Sequence, residues 1–130
     1  MSEAAATDAL FAAAPWADAP GATIELRAKY LNYDVADELK PLLLDAARRL
    51  VADGARTLVL DLSQVSVVDS CGVGLMIGLQ SQVRESRGSL WLVGVSSFLQ
   101  KIFRMMHLDK HFQVAAGEEE VRQSPSSPVV

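Results

Sequence analysis

Asp69 and Ser70 stand side by side where an apolar, strand-forming stretch gives way to a helix-forming one. The first turn of a helix carries unpaired N–H groups and partial positive charge. Asp69 suits the cap position there, accepting hydrogen bonds from those groups. Ser70 places a hydroxyl beside it, and a phosphate on that hydroxyl would fit the positive helix end. A Ser at a helix start also serves as ordinary capping, so local chemistry alone leaves both readings open. Cys71 follows as a thiol at the same helix start. With no His nearby in sequence to activate it, a small packed residue is the simpler reading. Gly72, Gly74 and Gly78 leave little side-chain bulk along part of the helix, which lets a strand pack close or a partner backbone approach. His107 and His111 are four apart, but Leu108–Lys110 reads as a turn, and two His alone do not make a metal site. The run Gly72–Leu75 (GVGL) is not a phosphate-binding loop. No catalytic residue, metal ligand or cofactor is therefore assigned, and an enzyme is not expected.

In open α/β sheets, working residues gather beyond the carboxyl ends of the strands. The loop carrying Asp69 and Ser70, Ser63–Cys71, follows a Leu- and Val-rich strand at Thr57–Leu62, and Val65, Val67 and Val68 are expected to tuck under the domain. Thr23–Tyr30 alternates apolar and polar residues as a half-buried strand does. Asp34–Val51 carries Val35, Leu39, Leu42, Leu43, Ala46 and Leu50 at helical spacing, with Asp34 as cap and Gly54 as terminator. Cys71–Glu85 is a second helix, Ser89–Val95 a third strand and Ser96–His107 a third helix. Phe112–Val114 is a last short strand. Strands separated by helices imply parallel pairing with right-handed crossovers. The first strand has no helix before it and is free to pair antiparallel. The expected fold is α/β, a small mixed β-sheet with helices packed mainly on one face. Trp91 is expected in the core, and Phe98, Phe103, Met105 and Met106 as an apolar cluster, core first and partner surface second.

The chain has 130 residues, half of them apolar, enough for one domain with one core. Residues 1–22 read as a flexible N-terminal tail, Ala-rich with a short helical stretch at Ala4–Ala14 and broken at Pro20-Gly21. Residues 23–116 form the domain, and 117–130 a flexible C-terminal tail, with Glu118–Glu120 a solvated run. Trp16 falls outside the strand–helix pattern. Twelve basic against sixteen acidic residues leave a net charge of −4, which argues against nucleic acid. The single cysteine suits a reducing compartment. No apolar stretch is long enough to span a bilayer, and the N-terminus lacks a cationic signal start. A cytoplasmic location without membrane insertion is expected.

The stretch VLDLSQVSVVDSCGVGLMIGL resembles the signature of STAS domains, above all of anti-sigma-factor antagonists: an apolar strand ending in Asp-Leu, a short loop, then Asp-Ser-Ser/Thr-Gly-hydrophobic-Gly opening a helix. Asp61, Leu62, Asp69, Ser70, Gly72, Val73 and Gly74 match it. The later stretch GSLWLVGVSSFLQKIFRMMHLDKHF is similar to the family's next strand, helix and final strand. Three positions depart from the pattern, the first being Lys29, which stands where the family's early Gly-x-Leu-Asp motif has its Gly. Cys71 stands where a second Ser or Thr is usual, and Asn32 stands where the family's early motif places an Asp near the phosphorylation loop.

The resemblance implies that Ser70 is a phosphoacceptor, and that Asn32, Asp69, Ser70, Cys71, Gly72, Val73 and Gly74 form a partner-binding surface. It implies as partners an anti-sigma serine kinase of the GHKL type, bound when Ser70 is unphosphorylated, and a PP2C-type phosphatase that reverses the mark. An alternative is a STAS accessory subunit of a bacterial ABC-type lipid transport complex, or a scaffold STAS protein. Oligomeric state is left open, a homodimer included.

Overall fold

The computed structural model describes residues 10–123. Its strands are β1 (Phe11–Pro15), β2 (Gly21–Leu26), β3 (Tyr30–Leu31), β4 (Thr57–Asp61), β5 (Val67–Val68), β6 (Ser89–Val93) and β7 (Gln113–Ala115). Its helices are α1 (Tyr33–Ala52), α2 (Ser70–Glu85), α3 (Ser97–Met105) and α4 (Glu118–Gln123).

Alternation along the strands creates two faces. Ile24, Leu58, Leu60, Leu90 and Leu92 point one way and are buried under α1, α2 and α3. Val59, Trp91 and Val93 point the other way. The helices answer the first face with stripes at helical spacing: Ala36, Leu39, Leu43 and Ala47 on α1, Met76, Leu79 and Val83 on α2, Leu99 and Phe103 on α3. Each such Leu contributes about 1.5–3 kcal/mol by leaving water. Two side-chain amides tie this layer together: Gln82 Nε2 donates to Leu44 O at 2.6 Å, and the buried Gln80 Nε2 donates to His111 O at 2.6 Å.

The main sheet has the order β1-β2-β4-β6-β7. The last four strands run parallel, as the strand–helix alternation predicts. β2 lies parallel to β4, and its antiparallel partner is β1, from Phe11↔Leu26 to Pro15↔Ala22. Phe11–Pro15 was expected to be tail. Its run of Ala favours helix locally, but Phe11 enters the main core at 2% exposure, and pairing along β2 overrides the local preference. The expected helix at Ala4–Ala14 falls largely outside the described residues.

The C-terminal side also departs from expectation. Residues 118–123 form α4, whose Val121 is buried on the second face with Val59, Val93 and Ala115, and with Trp91 and Trp16 packed against them. Glu118–Glu120 is therefore not simply solvated: Glu120 Oε1 accepts the Ala116 N–H at 2.7 Å, and Glu118 is bonded to Thr23 and Arg122. Trp91 is half-buried on this face rather than enclosed by the main helical layer.

α1 ends as Gly54 predicts, one position later than a cap. Asp53 closes the helix, Gly54 takes φ +112, and the Gly54 and Ala55 N–H groups bond back to Val51 O (3.0 Å) and Leu50 O (2.9 Å). α3 ends the same way with His107 at φ 58, a conformation that costs a residue bearing a Cβ.

Candidate functional site: a paired cap at the start of α1 and α2

β3 and β5 form a separate two-stranded parallel ladder, Tyr30↔Val67 and Leu31↔Val68. The residues that follow, Asn32 and Asp69, are the N-caps of α1 and α2. They share one backbone conformation, φ −101 with ψ −175 and −174 respectively. The ladder thus delivers two helix starts side by side.

Asn32 Oδ1 accepts the Val35 N–H at 3.2 Å. Asn32 rather than Asp34 therefore caps α1, and Asp34 lies in its first turn, where negative charge still suits the dipole. Asp69 Oδ1 accepts from Cys71 N–H (2.9 Å) and Gly72 N–H (3.1 Å). Its other oxygen, Oδ2, accepts from Tyr33 N–H at 3.1 Å, the first residue of α1. The Asp69 N–H donates to Leu31 O at 3.2 Å. One carboxylate therefore holds both helix starts. The donors expected to receive a phosphate on Ser70 are already taken by Asp69 at Cys71 and Gly72.

Ser70 is exposed at the tip of α2, beside this cap. Cys71 is half-buried against the main core and has no disulfide partner. Gly74, one turn further along, is exposed, and a Cβ there would meet nothing within 4 Å. Gly72 and Val73, expected on the contact surface, face inward. Val73 is 1% exposed, and a Cβ on Gly72 would come within 2.5 Å of Leu31 O. These two residues set the helix close against β3 from inside. Val67 is corrected the other way. Val65 and Val68 are buried, but Val67 sits on the alternate side of the short strand and is exposed.

Asp61 supports the same loop from its far end, with Oδ1 accepting from Ser63 N–H (2.9 Å) and Ser63 Oγ (2.7 Å). Around the cap stand large apolar side chains open to water: Tyr30, Tyr33 at 62% exposure and Val67, with the Lys29 ammonium 5.6 Å from the Tyr30 ring centre. α3, which packs against β5, adds Phe98 at its exposed start and Met105 at 79% exposure, while Phe103 alone of the expected cluster is core. Exposed aromatic groups gathered at one end of the sheet are what a protein-binding surface uses. Sequence reasoning did not single out Tyr30 or Tyr33; their exposure depends on how the short ladder turns them, which no local pattern carries.

Among the described residues no group of three or more His, Cys, Asp and Glu could hold a metal ion. None of their helices is long and apolar enough to cross a membrane.

The STAS domain family model matches residues 28–121, and the chain belongs to that family. No curated protein matches it. Among solved structures, an anti-sigma-factor antagonist (STAS) domain protein from Planctomyces limnophilus shares 17% identity, with 85% of this chain and 93% of that chain covered and a TM-score of 0.73. The phosphorylated form of the Bacillus cell fate determinant SpoIIAA shares 20% identity over 87% of this chain and 97% of that chain, at a TM-score of 0.61. A sulfate transporter family protein from Wolinella succinogenes shares 21% identity over 75% of this chain and 78% of that chain, at a TM-score of 0.62. These likenesses establish the fold.

Proposed function

We propose that this chain is an anti-sigma-factor antagonist in a partner-switching pathway. Unphosphorylated, it binds an anti-sigma serine kinase of the GHKL type. Phosphorylation of Ser70 ends that binding, and a PP2C-type phosphatase restores it. The observation that carries this reading is the placement of Ser70: an exposed hydroxyl at the tip of α2, beside a cap fixed by Asp69 and near the exposed Tyr30, Tyr33 and Val67. The solved structures of SpoIIAA in unphosphorylated and phosphorylated forms support it, since both share this fold.

A phosphate adds about −1.5 to −2 charges and three acceptor oxygens. With Asp69 occupying the nearby donors, the new group stays outside the fold and acts on docking through repulsion and desolvation. Asp69, Ser70, Asn32 and the open strip at Gly74 are the groups a partner meets, with Cys71 at the edge. Incubation with the kinase and ATP, followed by mass spectrometry, is expected to label Ser70 and to leave Ser70→Ala unlabelled. Ser70→Asp is expected to weaken kinase binding at least tenfold with the melting temperature unchanged. Full-strength binding by a folded Ser70→Asp protein would sink the proposal.

The likeness to a sulfate transporter family protein favours a second reading, a STAS subunit that binds a transport complex. An ABC-type lipid transporter ATPase that captures the chain, where the kinase does not, would decide for it.

A further inference from the structure

The side chains that join the two ends of the described chain are absorbed by nothing above. Trp16 lies flat over Gly21, where even a Cβ would come within 2.3 Å of the ring. Its indole N–H donates to Thr23 Oγ1 at 2.9 Å, and the Thr23 hydroxyl donates to Glu118 at the start of α4. From α4, Arg122 completes the circuit. Its Nε bonds Glu118 Oε2 at 2.8 Å, its Nη1 bonds Asp18 Oδ1 at 2.8 Å, and its guanidinium carbon lies 4.4 Å from the centre of the Trp16 ring. Loss of water around the guanidinium lowers its pKa, but the carboxylates of Glu118 and Asp18 more than offset this and the pKa is raised.

We propose that the β1–β2 turn and α4 form a strap that opens and closes as one unit over the second face of the sheet, in local openings that leave the helical layer intact. A six-residue helix has no stability of its own. α4 is held to the sheet by one buried side chain, Val121, by the Thr23 hydroxyl bonded to Glu118, and by the partly exposed Arg122–Asp18 ion pair, which contributes little. Such a segment belongs to the low-stability end of a fold and opens sub-globally. Arg122 makes the opening concerted, because its guanidinium bonds both halves. When α4 leaves, Trp16 loses its covering cation and Thr23 its acceptor; when the turn leaves, Arg122 loses Asp18 and the ring. Opening uncovers an apolar strip of Val59, Val93 and Ala115 beside Trp91. Trp16, Asp18, Thr23 and Arg122 lie outside residues 28–121, which the family model matches, and Glu118 and Val121 lie within them.

Native-state hydrogen exchange on the full chain by NMR tests this. The probes are the Trp16 indole N–H on one half, the Val121 amide on the other, and the Leu79 amide of α2 as a reference for global unfolding. Arg122→Gln is expected to speed exchange at Trp16 and Val121 by the same factor, about two- to tenfold for two weak ion pairs and a cation–π contact, and to leave Leu79 unchanged. Trp16→Phe, which keeps a ring but loses the indole donor, is expected to speed Val121 in turn, since coupling between the halves is reciprocal. Acceleration of Val121 without Trp16, no acceleration at either, or an equal acceleration at Leu79 would each overturn the strap.

Discussion

Asp69 Oδ2 accepts the backbone N–H of Tyr33 at 3.1 Å, across thirty-six positions of sequence, while its other oxygen caps α2. A cap normally serves one helix; here the carboxylate of one helix start also fixes the start of its neighbour. This carboxylate therefore adds a direct side-chain tie between α1 and α2 to the one that the β3–β5 ladder already makes.

Removing that side chain should cost more than a cap. Asp69→Ala is expected to lower stability by about 1–2 kcal/mol, near the upper end for a lost N-cap, measured by urea unfolding. Asp69→Asn separates the two roles: its carbonyl oxygen can still cap α2, but an NH2 group facing the Tyr33 N–H cannot accept. It is expected to lose less stability than Asp69→Ala, while an amide-shift change appears at Tyr33. Wild-type stability in Asp69→Asn would show that the bond to Tyr33 contributes nothing.

Gly72 is where α2 comes closest to β3. Gly72→Ala puts a methyl group within 2.5 Å of Leu31 O and 2.7 Å of Val68 Cγ1, and backbone cannot yield as a flexible side chain does. A loss of about 1–3 kcal/mol is expected from overpacking, read from the shift in the denaturation midpoint. A neutral result would mean that the helix can slide away from the ladder without cost.

Gly74 gives the opposite sign. It is exposed in the middle of the helix with open space beyond it. Gly74→Ala should raise stability by about 0.5–1 kcal/mol through helix propensity alone. If a partner backbone approaches this strip, as the proposed function has it, the same methyl group weakens kinase binding. Calorimetry of the variant with and without the kinase separates the two effects; a destabilised variant would contradict the open surface.

The site was legible in the sequence where its signals are local. An Asp before a Ser at the head of an apolar, glycine-bearing helix announces a cap, and the alternation of strands and helices announces the sheet. What escaped reading is carried by contacts across the chain. Tyr33 meets Asp69 only because a two-residue ladder sets the two helix starts level. Gly72 and Val73 share the motif with Ser70, yet the turn of the helix points them inward, which adjacency in sequence conceals. The strand Phe11–Pro15 is Ala-rich, and only its pairing with β2 makes it a strand. Trp16 falls outside the strand–helix pattern for the same reason: the cation that covers its ring, Arg122, comes from the opposite end of the described chain.

The occupied donors at the head of α2 bear on how long a mark at Ser70 would last. Under the proposed function, a phosphoryl group there finds the Cys71 and Gly72 N–H groups already engaged by Asp69. It is then held by its ester bond and little else, standing out in solvent where a hydrolase can reach it. The protein needs no refolding to give it up, so the state of the signal tracks the balance between writer and eraser rather than any memory stored in the scaffold.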